Sequence, residues 1–150
     1  MEIRFSKTDK KYGCFSNFYL APVNFNGMTF TNSEAAWQAQ KCAIKRTIAN
    51  FQTKTPSQAK ASGRRVKLRP DWEEVKYGLM VDVCYAKFTQ NEDLKDILLS
   101  TGNEELCENT TGWHDNIWGN CECPKCKDII GKNLLGKALM ETRDRIREEA

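Results

Sequence analysis

Apolar positions along the chain change their period several times. Ile3 and Phe5 alternate with polar neighbours, the period-2 pattern of an opening strand. Val23/Phe25 and Met28/Phe30 flank Asn26-Gly27, the pair that favours a type I′ turn, so a hairpin of two short strands is expected there. From Thr31 the period lengthens. Apolar and small residues run on through Ile44, and Thr31 with Glu34 three residues later fits a capping box that opens a helix. Thr55-Pro56-Ser57-Gln58 gives the same signal for a short helix that Gly63 ends. Val66 and Leu68 alternate with Arg65, Lys67 and Arg69, an extended pattern. Pro70 starts the clearest helix, in which Trp72, Val75, Leu79, Val83 and Ala86 recur at helical spacing on one core face. Leu94, Ile97 and Leu98 suggest another short helix, and Leu134, Leu135, Ala138, Leu139 and Ile146 a final one. The expected class is α+β: a single compact, mostly helical domain over 1–150 with a small β-hairpin or sheet.

A length of 150 residues suits one domain with its own core. No apolar run approaches the ~20 residues that span a bilayer. The start, Met1-Glu2-Ile3-Arg4-Phe5, lacks an apolar signal region, so a cytoplasmic protein is expected, without membrane partners. A net charge of +3 is too mild to indicate nucleic acid by itself. Seven cysteines, an odd number without an export signal, are expected to stay reduced. The single histidine, His114, excludes a three-histidine zinc hydrolase and an HExxH protease. A Ser-His-Asp or Cys-His enzyme would have to use that one residue.

Four stretches carry candidate chemistry. In the first, Glu34, Gln38 and Lys41 are spaced i, i+4, i+7, which returns to within roughly 20° of the starting direction on a helix and puts all three on one face. Glu34 and Lys41 would stand about 10 Å apart along the axis, a gap for a substrate to bridge rather than a salt bridge. The bland alternative makes Glu34 a capping residue and Lys41 a solvated one. In the second, the basic residues Arg64, Arg65, Lys67 and Arg69 precede Asp71-Trp72-Glu73-Glu74, cations for phosphate beside an aromatic face for a base or sugar. The alternative is a core tryptophan and a solvated basic strand. In the third, Gly112-Trp113-His114-Asp115-Asn116-Ile117-Trp118-Gly119 reads as a structured loop whose aspartate can act as acid, base or cation stabiliser, or merely cap a turn. In the fourth, Cys121, Cys123 and Cys126 offer three thiolates in six residues to a structural zinc, with His114, Cys107 or a distant cysteine as fourth ligand. Otherwise this is a reduced cysteine-rich loop.

Together these stretches resemble the NADAR (YbiA-like) family. The matching text is Cys14-Phe15-Ser16-Asn17-Phe18-Tyr19, Ser33-Glu34 through Gln38-Ala39-Gln40-Lys41, and Arg69-Pro70-Asp71-Trp72-Glu73-Glu74-Val75-Lys76. It continues with Ala86-Lys87-Phe88, Asp115-Asn116-Ile117-Trp118-Gly119 and Gly131-Lys132-Asn133-Leu134-Leu135-Gly136-Lys137. Each motif alone is weak; the ordered set covers nearly the whole chain. The resemblance implies a small, mostly helical α+β fold and an N-glycosidase acting on ribosylamino intermediates of riboflavin synthesis or on ADP-ribosylated guanine. Glu34, Lys41, Trp72, Asp115 and Trp118 fall on family positions associated with the site. Asn17, Phe18, Gln38, Arg64, Arg69 and Gly119 complete the expected substrate contacts. Ala35 stands where many relatives carry His, so any role of that His is absent here.

The groups suit a covalent route. A ribosylamine opens to an imine, neutral Lys41 exchanges onto C1 as a Schiff base, and water later frees the sugar, with Glu34 shuttling protons and Asp115 positioning water or a hydroxyl. The competing route passes through an oxocarbenium ion between Glu34 and Asp115. Neither requires a cofactor. The expected ligand is a small nucleotide-sugar, or ADP-ribosylated nucleic acid. Outside catalysis, the alternatives are an ADP-ribose or nucleotide-binding module, which has no need of Lys41, and a zinc-knuckle interaction protein centred on Cys121–Cys126.

Overall fold

The first strand finds its partner far along the chain. In the computed structural model, which describes residues 1–150, β1 (Glu2–Phe5) pairs in parallel with β4 (Glu105–Glu108), matching Phe5 to Glu108. The hairpin forms where Asn26-Gly27 predicted it, between β2 (Val23–Phe25) and β3 (Met28–Phe30). Asn26 and Gly27 have φ of 52° and 82°, the double left-handed conformation a type I′ turn needs.

Five helices complete the fold: α1 (Ser33–Ala39), α2 (Pro56–Gly63), α3 (Trp72–Gln90), α4 (Glu92–Ser100) and α5 (Leu134–Glu148). The capping box of α2 is present in both halves, with Gln58 N donating to Thr55 Oγ1 at 3.2 Å and Thr55 N to Gln58 Oε1 at 3.0 Å. α3 packs against α5 and β2, α1 packs against α2 and α3, and α5 also covers β4. Phe5, Phe15, Phe30, Phe88, Leu98, Leu106 and Leu139 are fully buried within one continuous core.

Two sequence expectations need correction at α1. The cap is Asn32, not Thr31: its Oδ1 accepts from Ala35 N at 2.8 Å while its Nδ2 donates to Lys54 O at 2.9 Å. Glu34 is thereby freed from a capping role. The helix also stops at Ala39 rather than running to Ile44, because the chain turns to bond the 67–69 segment. Ala43 N donates to Lys67 O at 2.8 Å, and Arg69 N to Lys41 O at 2.9 Å. The extended 65–69 pattern therefore yields only a single antiparallel bridge, Cys42 to Leu68. α3 begins at Trp72, two residues after Pro70.

Lys87 is a cation inside the core. Its side chain is 1% exposed, and its Nζ donates to Ser16 O at 3.0 Å, fixing the loop that follows the short 3-10 turn Gly13–Phe15. Burial pushes its ammonium down to about 8.

Candidate active site

One cavity of about 420 Å³ collects groups from helices α1, α2, α3 and α5, from the end of β4 and from the loops between them. That size falls within the range of small-ligand sites. The loop after the 3-10 turn contributes Asn17 and Phe18, α1 contributes Glu34, Trp37 and Gln38, and Lys41 lies just past its end. Lys60 and Arg64 come from α2 and the residue after it, Glu108 from the end of β4, and Trp113, Asp115 and Trp118 from the loop beyond. Lys7 closes one side, and Met80 and Leu135 contribute apolar surface.

The shared face of Glu34, Gln38 and Lys41 survives the early end of α1. Gln40 keeps right-handed helical angles (φ −70°, ψ −13°), and Lys41 N donates to Gln38 O at 3.1 Å. Lys41 thus stays on the turn that the helix would have continued. Its Nζ stands 5.3 Å from the Trp37 ring centre and 5.7 Å from that of Trp72. Burial pushes its pKa down; Glu34 opposes this, and Arg64 and Lys76 add to it. No ion pair joins it to Glu34, as the spacing predicted.

Glu34 is 8% exposed. Its backbone N donates to Asn17 O at 3.2 Å, and its Oε2 accepts from Gln38 Nε2 at 2.7 Å. Burial raises its pKa, partly offset by the Gln38 bond, Lys60 and Lys41. Asn17 is tied back to α1 as well, its Oδ1 accepting from Ser33 Oγ at 2.9 Å. Gln38 Oε1 is buried without a hydrogen-bond partner. A Cβ on Gly63 would lie 1.9 Å from that oxygen, so the glycine is what lets α2 approach this closely.

Asp115 combines both readings of its loop. Its Oδ1 accepts from the N–H groups of Ile117 and Trp118 at 2.8 and 2.9 Å, the bonds of an Asx turn, yet the residue still lines the cavity. Trp118 meets Trp37 edge-on at 4.8 Å, and Trp37 packs on Trp72 at 5.1 Å.

Three expected contacts lie elsewhere. Arg69 turns to Asp71, with Nε to Oδ1 at 2.6 Å and Nη2 to Oδ2 at 3.0 Å, because a carboxylate two residues away outcompetes the more distant cavity. Trp72 is 5% exposed and backs Trp37 and Lys41 from the core, one layer behind the cavity. Gly119 is a packing glycine, since a Cβ there would come within 2.4 Å of Thr110 Cγ2 and 2.6 Å of Glu108 O. The sequence reading also missed Lys7, Lys60 and Glu108. Lys60 had a visible signal, lying four residues before Arg64 on the expected second helix. Glu108 had none. Burial, with Asp115 and Glu34 adding repulsion, pushes its carboxyl up to about 8.

The candidate metal ligands Cys121, Cys123 and Cys126 gather around His114. Cys107 is not among them; its sulfur accepts from Arg4 Nη1 at 3.4 Å on the β1–β4 pair.

A family model described as the NADAR domain matches residues 4–147, a span that includes every cavity residue named above. The chain belongs to the NADAR family. Among its relatives, an N-glycosidase of Nostoc punctiforme is 37% identical over 98% of this chain and 94% of that protein. The N-glycosidase YbiA of Escherichia coli is 37% identical over 96% of this chain and 88% of that protein. A riboflavin biosynthesis protein of Vibrio vulnificus is 31% identical over 99% of this chain, a match that spans 39% of that protein. The NMR structure of the E. coli protein YbiA superposes with a TM-score of 0.84 at 35% identity, covering 99% of this chain and 88% of that one. The NADAR fold is thus a set of helices with few strands, the α+β class expected from the pattern.

Proposed function

We propose that this NADAR protein is an N-glycosidase that hydrolyses the bond between a ribosyl C1 and an amino group, with Lys41 as nucleophile and Glu34 as proton carrier. The observation that carries the reading is the pairing of a lysine held toward its neutral form with a carboxyl held toward its acid form, both facing one cavity. The names of the relatives in Nostoc punctiforme and E. coli support the reaction class.

The steps balance as acid–base chemistry. Protonation of the ring oxygen by Glu34 opens the ribosylamine to an imine. Neutral Lys41 adds to C1, the amine leaves with a proton, and an imine of Lys41 remains. Water then adds to C1, and expulsion of the lysine amine releases the free sugar and restores both groups. The route uses no cofactor. Lys7, Lys60 and Arg64 supply positive charge at the cavity and suit a phosphorylated ribosyl group. Trp113 and Trp118 offer flat faces for the heterocyclic amine.

Two substrates discriminate within this class: a ribosylamino-pyrimidine phosphate, in keeping with the riboflavin name of the Vibrio vulnificus relative, and ADP-ribosylated guanosine. Incubation with each should release sugar from at least one. Saturable binding of both without release would leave a nucleotide-binding module instead. A route through an oxocarbenium ion draws on the three carboxylates, Glu34, Glu108 and Asp115, that share the cavity. It predicts that Asp115→Asn loses turnover while Lys41→Ala keeps it near normal.

Glu108 gives a separate test. Its folded pKa of about 8 exceeds the ordinary 4.5. Below about pH 4.5 both folded and unfolded chains hold the proton, and its stabilising linkage is fully present. As pH rises to about 8 the unfolded chain ionises first, and that contribution is lost. Glu108→Gln should therefore gain on the wild type by on the order of 4 kcal/mol between those limits, read as a growing difference in Tm. A difference that stays flat with pH would show that Glu108 ionises normally in the fold.

A further inference from the structure

Outside the cavity, the densest collection of chemistry-bearing side chains is a thiol cluster on the loop that feeds it. His114 Nδ1 lies 3.5 Å from Cys121 Sγ, 3.3 Å from Cys123 Sγ and 3.6 Å from Cys126 Sγ. All four atoms fall within 4.8 Å of one another. One imidazole nitrogen has either a single hydrogen or a single lone pair, so hydrogen bonding accounts for at most one of the three sulfurs. A tetrahedral zinc accounts for all of them. Bonds of about 2.3 Å to sulfur and about 2.0–2.1 Å to nitrogen would hold the nitrogen about 3.5 Å from each thiolate.

The backbone is shaped to make this convergence. His114 adopts a φ of 57°, a left-handed conformation uncommon for residues with a side chain. Its flanking residues, Trp113 and Asp115, both line the cavity, while its own ring reaches the cysteines. Asn116 joins the two stretches again, its Oδ1 accepting from Cys121 N at 2.9 Å. Between β4 and α5 no helix or strand forms. The segment that presents Trp113, Asp115 and Trp118 is therefore held by one isolated bridge, Asn109 to Asn120, and by single loop bonds such as Leu134 N to Ile117 O at 3.0 Å, rather than by a helix or strand of its own.

The geometry points to a structural zinc site, Cys121-Cys123-Cys126-His114, that clamps this segment and so positions Asp115 and Trp113 at the cavity. The ligands are positioning residues, and none of the four lines the cavity. The clamp role rests on the cavity being the reactive site; the metal site does not. A divalent cation bound here releases thiol protons and leaves the oxidation states of sulfur and metal unchanged, so no redox partner is involved.

The test reads metal and turnover separately. Protein purified without chelator should hold about one equivalent of zinc. Cobalt(II) in its place should show thiolate-to-cobalt charge-transfer absorption. His114→Ala should weaken zinc binding by at least about 10-fold, and His114→Cys should restore it. Stripping the metal should leave helical circular dichroism unchanged, shift tryptophan emission, and lower kcat/KM by about 10-fold, reversed by zinc alone. Metal-free protein whose three thiols react as freely as in the unfolded chain, or that holds a disulfide among them, would overturn the site. Zinc bound at one equivalent with emission and turnover unmoved by its removal would overturn the clamp. Zinc bound in a protein that cleaves neither test substrate would uphold the site and count against the glycosidase reading alone.

Discussion

Replacing Lys41 with Ala is expected to lower turnover by roughly 10⁴-fold or more, the scale on which loss of a covalent nucleophile is felt. Borohydride added during turnover should reduce the imine and leave a stable sugar adduct on Lys41 of the wild type, detected by mass spectrometry of the digested protein. Lys41→Arg should form no adduct, because a guanidinium stays protonated near neutral pH. Binding should survive in part in both variants, carried by Lys60, Arg64 and the tryptophans. The lysine is suited to the role by position: half buried, close to two indole rings and beside the Arg64 and Lys76 charges that discourage its protonation. Near-normal turnover by Lys41→Ala would remove the covalent route and leave the carboxylates as the reacting groups, with Asp115→Asn then the decisive variant.

Glu34→Gln should slow turnover by roughly 10²–10⁴-fold with a smaller effect on affinity, as expected when a proton carrier is lost but its shape is kept. Stability should not suffer. The folded pKa of Glu34 is raised, so the ionised carboxyl is disfavoured by folding, and at neutral pH the amide avoids that cost. The cap of α1 is untouched, since Asn32 makes it. The pH–rate profile of the wild type should lose activity on the alkaline side as Glu34 gives up its proton and on the acid side as Lys41 gains one. In Glu34→Gln the alkaline limb that belongs to the carboxyl should disappear. A variant that unfolds, or one as fast as wild type, would each contradict this account of the residue.

Local signals carried most of the fold. Asn26-Gly27 and the Thr55–Gln58 box act on their nearest neighbours, so the hairpin and α2 stand where the pattern put them. The helical face of Glu34, Gln38 and Lys41 was legible because the turn after α1 keeps helical angles. What the sequence hides is direction and distance. Arg69 and Trp72 have the right chemistry for a ligand, but nothing local tells that one turns to Asp71 and the other into the core. Thr31 and Asn32 are both good caps; Thr31 Oγ1 donates to Lys54 O at 3.0 Å, and it is Asn32 Oδ1 that takes the Ala35 N–H. The cysteine spacing gave three of the clustered ligands and left His114 as one of several choices. Glu108 and β4 were invisible because a parallel partner leaves no turn signal between the strands.

The β1–β4 pairing also bears on how the molecule comes together. Arg4 and Cys107, which meet across it, are 103 positions apart. Contacts this remote form only after the chain has surrendered the entropy of closing a long loop, whereas the hairpin and the helices draw on neighbours. Glu108 ends that remote strand, and the loop bearing Asp115 and Trp118 follows directly from it. The cavity thus depends on a pairing that local structure alone does not supply, and a chain can be rich in native helix before it has a place to hold a substrate.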